Sequence, residues 1–128
     1  MGLRRKHKLA GVHPDLIRVV EEASKYCDIV VLEGVRDITR QKELVEQGRS
    51  KTMNSMHLIQ DDGFAHAVDI FADPIEWESW KRNYLFAGYI KGIACSIGVK
   101  IRCGADWDGD FHVKDQTFHD LPHFEIKL

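Results

Sequence analysis

A chain of 128 residues fits one domain and is long enough to bury a core without disulfide staples or internal repeats. Hydrophobic content of 44% and charged content of 30% exclude general disorder, and a formal charge of -2 gives no broad positive field of the kind nucleic acid requires. No stretch has the length and apolarity of a transmembrane helix, and Arg4-Arg5-Lys6-His7-Lys8 leads into no signal-peptide core, because Leu9-Ala10-Gly11-Val12 is cut short by His13-Pro14.

The basic cluster at residues 4–8 reads as a solvated tail. Pro14 to about Cys27 predicts a helix: Pro14 suits a first turn, and Leu16, Val19, Val20, Ala23 and Tyr26 recur at helical spacing as a core face. Asp28 to Glu33 is a β-branched run short enough for a buried strand, ended by Gly34. Asp37 then offers an N-cap for a helix running to Gln47, with Gly48 as its stop. Arg36 therefore falls at a strand-to-helix seam, the kind of place where catalytic groups are displayed. Residues 48–56 are polar and aperiodic, a loop leading into His57, and Asp61-Asp62-Gly63 is turn chemistry. Ala67 to Phe71 alternates as a strand, with Asp69 and Phe71 opposite Val68 and Ile70. A carboxylate inside an apolar strand is costly to bury unless it is paired or bound to a cation, which marks Asp69 as a candidate ligand. Asp73-Pro74 opens a helix expected from Glu76 toward Ile97; its Trp77, Trp80, Tyr84, Leu85 and Ile93 are read as core packing rather than a sugar-stacking platform. Val99 to Cys103 predicts a strand, residues 104–110 a turn-rich loop, and His123 to Leu128 the last strand. The order α, β, α, β, α, β, β predicts an α+β fold, a single domain over residues 1–128 with a small mixed or antiparallel sheet flanked by helices. Cys27, Cys95 and Cys103 form no C-x-x-C pair and are expected to be buried free thiols, which excludes a cysteine zinc cluster.

The chemistry gathers around the last segment, where Asp120 stands three residues before His123. That pair alone says little in a chain with 20 acidic residues and 7 His, but His57 and Asp69 add a second imidazole and a carboxylate. Catalytic zinc typically has three protein ligands and an open position for water, and His57, Asp69 and His123 supply such a set. Asp120 is placed to accept the water's proton and pass it to a leaving amine. Arg36 is the candidate donor to the developing oxyanion, and Ser55, two residues before His57, the candidate to hydrogen-bond substrate.

Gly34-Val-Arg36 with Gln41 five residues on, Gly48-Arg-Ser-Lys-Thr-Met-Asn-Ser55-Met-His57, Ala67-Val-Asp69, Gly104-Ala-Asp-Trp107 and Asp120-Leu-Pro-His123-Phe-Glu resemble the phage L-alanyl-D-glutamate endopeptidases. These endolysins belong to the zinc superfamily that includes the D-alanyl-D-alanine peptidases and shares its fold with hedgehog-type domains. The resemblance runs from about Asp15 to Leu128. It implies a zinc site at His57, Asp69 and His123, a base at Asp120, an assisting Arg36, and Gln41 beside Ser55 in substrate binding. It further implies cleavage of peptidoglycan stem peptides between L-Ala and D-Glu for host lysis. The expected protein is a monomer made in the host cytoplasm and acting in the periplasm, with a holin-type pore for passage, no nucleic-acid partner, no membrane insertion and no separate wall-binding domain. One departure concerns spacing: the family places about seven residues between the first His and the Asp, whereas His57 and Asp69 are twelve apart. Residues 59–64 are read as a loop insertion, with His66 as a competing ligand. Asp106, Asp108 and Asp110 begin a D-x-D-x-D calcium pattern that lacks the glutamate at its twelfth position, where Thr117 stands. Since some related endolysins respond to calcium near this loop, the resemblance adds a regulatory calcium site to the expectations. Two other readings stay open: a D-alanyl-D-alanine carboxypeptidase or dipeptidase, and a non-catalytic zinc or wall-binding module.

Overall fold

The structure is a computed structural model that describes residues 2–50, 53, 55–106, 109 and 120–128. The chain enters through a two-residue strand, β1 (Leu3–Arg4), and a short 3-10 helix at Lys6–Leu9. Then follow α1 (Pro14–Ala23), β2 (Ile29–Glu33), α2 (Ile38–Glu46), β3 (Ala67–Ala72), α3 (Trp80–Ser96), β4 (Ile101–Gly104) and β5 (Asp120–Ile126). Among the described residues the strands form one mixed sheet in the order β1-β2-β3-β5-β4, parallel only between β1 and β2. This is the expected single α+β domain, with β1 added.

Period-two alternation divides the sheet into two chemically different faces. Val68 and Ile70 of β3 and Phe124 and Ile126 of β5 face a core closed by α1 and α3, where Leu16, Val20, Phe86 and Ile90 are buried. Phe86 meets Phe124 edge-on at a ring separation of 6.2 Å, a favourable aromatic geometry. On β3 and β5 the intervening residues, Asp69, His123 and Glu125, fall on the opposite face.

The helix ends follow local capping chemistry. The Nδ1 of His13 accepts from the Asp15 amide at 3.1 Å with Pro14 in the first turn, and Asp37 accepts from the Arg40 amide at 2.7 Å. Two expectations about helix faces are corrected. Helix α1 ends at Ala23 rather than near Cys27, so Tyr26 lies beyond it and is 68% exposed. Helix α3 begins at Trp80, not Glu76, and buries Asn83, Phe86, Ala87, Ile90 and Ala94, leaving Trp77, Trp80 and Leu85 exposed. Of the thiols only Cys103 is buried; Cys27 is half-buried and Cys95 exposed.

The basic segment is not a solvated tail. Arg4 pairs with Asp73 at 2.8 Å, Leu9 is buried, and the Lys8 ammonium donates to the Leu32 carbonyl at 2.9 Å. Gly34 permits this docking, because a Cβ there would collide with the Lys8 carbonyl oxygen.

Candidate metal centre and cleft

Sheet register assembles the site. Glu33 of β2 is paired across from Asp69 of β3, and Asp69 across from His123 of β5, so one row crosses three strands. His57 arrives from the loop before β3, fixed by its Nδ1 donating to the Gly34 carbonyl at 2.8 Å and by its amide donating to Ser55 Oγ at 3.1 Å. Its Nε2 then lies 3.1 Å from Asp69 Oδ1, and the Nδ1 of His123 lies 3.4 Å from the same oxygen. One ligand atom from each of these three residues lies within 4.8 Å of the others.

These residues fit a zinc ion. Tetrahedral ligands about 2.0–2.2 Å from zinc stand about 3.4 Å from one another. The outer hydrogen bonds also assign the ring tautomers. Gly34 O can only accept, so His57 carries its hydrogen on Nδ1; the Glu125 carboxylate accepts from His123 Nε2 at 2.9 Å, so His123 carries its hydrogen there. Both inward nitrogens thus offer lone pairs toward a carboxylate oxygen, an arrangement that needs a cation at its centre. In the metal-free protein a proton serves. Burial disfavours the imidazolium of His123, but hydrogen bonds to Asp69 and Glu125 outweigh it and raise its pKa to about 9. Burial likewise opposes ionisation of Asp69, yet the two imidazoles hold it well below the usual carboxylate range.

Asp120 begins β5 with its Oδ2 3.9 Å from His123 Nδ1. Burial and repulsion from Asp69 push its pKa up against the pull of His123, His57 and Arg36, as suits a group that takes and returns a proton. Gly104 faces Asp120 across the β4–β5 pair, where a Cβ would strike the Asp120 carbonyl oxygen.

Arg36 is buried and almost fully engaged. Its Nε and Nη2 hold Glu33 at 2.9 and 2.6 Å, and its Nη1 donates to Gln41 Oε1 at 2.7 Å and Ser55 Oγ at 3.4 Å. Nη2 stands 3.8 Å from Asp69 Oδ2, so its second N–H is the one left on the metal side. Gln41, expected to contact substrate, is completely buried; it accepts from Arg36 and donates from Nε2 to Ser50 Oγ at 2.9 Å. Its place is behind the cleft, as a support for Arg36. Ser55 remains on the cleft wall.

His66 stays out of the cluster, with its Nε2 2.7 Å from Asp62 Oδ2. The extra residues before it close on themselves: Gln60 N donates to Phe64 O at 2.9 Å, and Gly63 N to Gln60 O at 2.9 Å. Asp106 of the calcium pattern is buried and lies 3.5 Å from the Lys91 ammonium; Asp108 and Asp110 fall outside the described residues. Glu33 and Glu125 were missed as site residues. Only their alternation with neighbouring strand positions hinted at them, and the register was needed to find them.

The three candidate ligands, Asp120, Arg36, Ser55, Glu33 and Glu125 line an open cleft of about 920 Å³, with Lys8, Arg40 and Arg49 along its walls beside Trp77 and Arg102. Among known protein families, the model described as phage L-alanyl-D-glutamate peptidase matches residues 1–127 of this chain. Among solved structures, the crystal structure of the Serratia marcescens L-Ala D-Glu endopeptidase ChiX is similar, with a TM-score of 0.76 and 33% sequence identity over 97% of this chain and 86% of that one. No curated protein matches.

Proposed function

The chain belongs to the phage L-alanyl-D-glutamate peptidase family, and from that membership we propose that it is a zinc-dependent endopeptidase that cuts the L-alanyl-D-glutamate bond of peptidoglycan stem peptides, acting as a phage endolysin. One observation carries the metal-dependent part: two imidazoles and a carboxylate converge, with their outer hydrogen bonds arranged to leave lone pairs inward, and a carboxylate of raised pKa stands beside them.

In this reading His57, Asp69 and His123 hold the zinc. When bound, zinc supplies Lewis acidity and lowers the pKa of a bound water toward about 7. Asp120 takes the proton of the attacking water and returns it to the departing D-glutamyl nitrogen, so one residue serves as base and then acid. Arg36 places its remaining Nη2 hydrogen toward the oxygen of the attacked carbonyl as negative charge develops there. Glu33, Gln41 and Ser55 hold that guanidinium still, so that little reorganisation accompanies the reaction. Glu125 and the Gly34 carbonyl keep the two imidazoles turned inward.

The proposed setting is synthesis in the host cytoplasm, passage through a holin-type pore and action on the periplasmic wall as a monomeric catalytic domain spanning the chain. Among the described residues no helix is long and apolar enough to cross a membrane. Mass spectrometry of stem peptides incubated with the zinc-loaded protein tests the reading, with Asp120→Ala as control. New C-terminal L-Ala and N-terminal D-Glu ends, absent in the control, are expected. Release of D-Ala instead would make it a carboxypeptidase, and intact peptide with tightly held zinc would make it a binding module.

A further inference from the structure

We infer that Lys8, Arg40 and Arg49 form a carboxylate subsite that receives the free carboxylate of the substrate's D-glutamyl residue, and that this subsite sets the preference for an acidic stem peptide. The inference rests on the peptidase reading above for the identity of its ligand. Glutamate has two carboxyl groups, and extending a peptide through one leaves the other ionised within a single residue of the scissile nitrogen. A site that cuts before D-glutamate must therefore accommodate an anion close to its metal, or suffer the desolvation of an unpaired charge.

Apart from Asp120, 3.9 Å from His123, the cleft's acidic groups are closely matched. Glu33 is held by Arg36, and Glu125 by His123 and Arg102, while Asp69 faces the two imidazoles. The three cations on the wall are matched weakly or not at all. Lys8 donates to a neutral backbone carbonyl, which leaves its full charge and two further N–H groups. Arg49 has no ionic partner among the described residues, and Arg40 is only 3.9 Å from Glu43, with 40% and 53% of the two side chains exposed. An exposed pair of that geometry holds little energy and releases its guanidinium readily.

Their backbones are well anchored. Lys8 lies in the 3-10 helix that docks against Gly34, Arg40 in the first turn of α2, and the Arg49 amide donates to the Leu44 carbonyl at 2.8 Å at the end of that helix. A chain of net charge -2 thus places on the wall of this cleft two cations without a carboxylate partner among the described residues, Lys8 and Arg49, and a third, Arg40, held only by a long exposed pair. Flexible side chains on fixed backbones suit a carboxylate carried by a peptide of variable length, because each can adjust its fork or ammonium to the anion.

The test compares a synthetic L-Ala-D-Glu stem peptide with its carboxamide twin, in which the free D-glutamyl carboxylate is an amide. Both are measured with the zinc-loaded wild type and with Lys8→Met, Arg49→Gln and the double variant. The wild type is expected to favour the acid by about tenfold in kcat/KM, mainly through KM, with a preference that weakens as salt is added. Each variant should shrink the ratio of acid to amide, and the double variant should bring it close to one. Parallel loss on both peptides with the ratio intact would overturn the inference, as would a wild type indifferent to the charge. Binding of the two peptides to the metal-free protein, followed by calorimetry, separates this from the parent reading. If neither peptide is cut but the acid still binds more tightly and Arg49→Gln removes the difference, the peptidase reading fails and the subsite stands. Equal binding of both peptides overturns the subsite.

Discussion

Glu125 touches no substrate in the proposed mechanism, yet its removal should cost metal affinity, and the structure sets the size of the effect. Its carboxylate accepts from His123 Nε2 at 2.9 Å and is held in turn by Arg102 at 3.1 Å, with only a tenth of its side chain exposed. Burial opposes its ionisation, but the hydrogen bond and charge of His123, with Arg102 behind them, keep the pKa of Glu125 below the usual glutamate range. In Glu125→Gln an acceptor survives but the charge is lost, so the ring stays oriented while its basicity falls; about a tenfold loss in zinc affinity is expected. In Glu125→Ala the ring loses both its acceptor and its tautomer lock, and about a hundredfold loss is expected, the upper end for partners of metal-bound histidines. These correspond to about 1.4 and 2.7 kcal/mol. Competition against a chromogenic chelator measures the affinities. In the metal-free protein above about pH 9, where the His123 ring is neutral, its nitrogen chemical shifts report the tautomer directly, with the hydrogen on Nε2 in the wild type and divided between the two nitrogens in the alanine variant. Unchanged affinity in Glu125→Ala, with His123 still protonated on Nε2, would refute the reasoning.

Two further outcomes follow from the same geometry. Because the pKa of His123 rises from the ordinary imidazole range to about 9 in the metal-free fold, its charge stabilises that fold fully below about pH 6.5 and the contribution disappears as pH climbs through about 9. Zinc takes only the neutral ring, so uptake at pH 7 should expel at least one proton, and the gain in Tm on loading should widen between pH 6.5 and 9; calorimetry in buffers of different ionisation heat counts the proton, and none released at pH 7 would contradict the assignment. In Gly104→Ala the added methyl meets the Asp120 carbonyl oxygen, so the start of β5 must move. A shift of about 1 Å at a proton-transfer group costs about a hundredfold in kcat, while zinc should still bind one per chain; full activity in this variant would show that Asp120 does not act from where it lies.

The order of the main elements and the three candidate ligands were legible because each left a local mark. Asp69 interrupts an apolar strand, which is unfavourable without a cation, and Asp120 and His123 share one short segment. What stayed hidden depended on contacts distant in sequence. Glu125 reads like any polar residue alternating along a strand, until the β4–β5 pairing sets Arg102 across from it and the His123 ring, on the same face two residues before, is seen to turn toward it. The N-terminal charges suggested solvent because nothing local shows that Leu9 is buried, or that the bare Cα of Gly34 admits the chain. Trp77 extended a helical pattern from a position before the helix begins; its ring meets Phe71 edge-on at 4.7 Å and forms part of the cleft wall. Hydrophobic spacing alone cannot separate an aromatic that fills a core from one that borders a site. Gln41 sat in a recognisable motif, but only its complete burial shows that it lies behind the cleft, against Arg36.

The row Glu33, Asp69 and His123 has one more consequence. Its spacing is that of neighbouring hydrogen-bonded strands, about 4.8 Å, so two of the three candidate ligands, Asp69 and His123, take their separation from backbone pairing, and only His57 is brought by a loop. The twelve-residue span from His57 to Asp69 illustrates this tolerance, since the added residues fold back on themselves and leave the ring where the sheet requires it. The cationic wall, by contrast, is carried by the N-terminal segment and by α2 with its exit, none of which contributes a ligand. In the proposed reading, reactivity and preference thus reside in separable parts of one small domain, and the second can diverge while the first stays untouched.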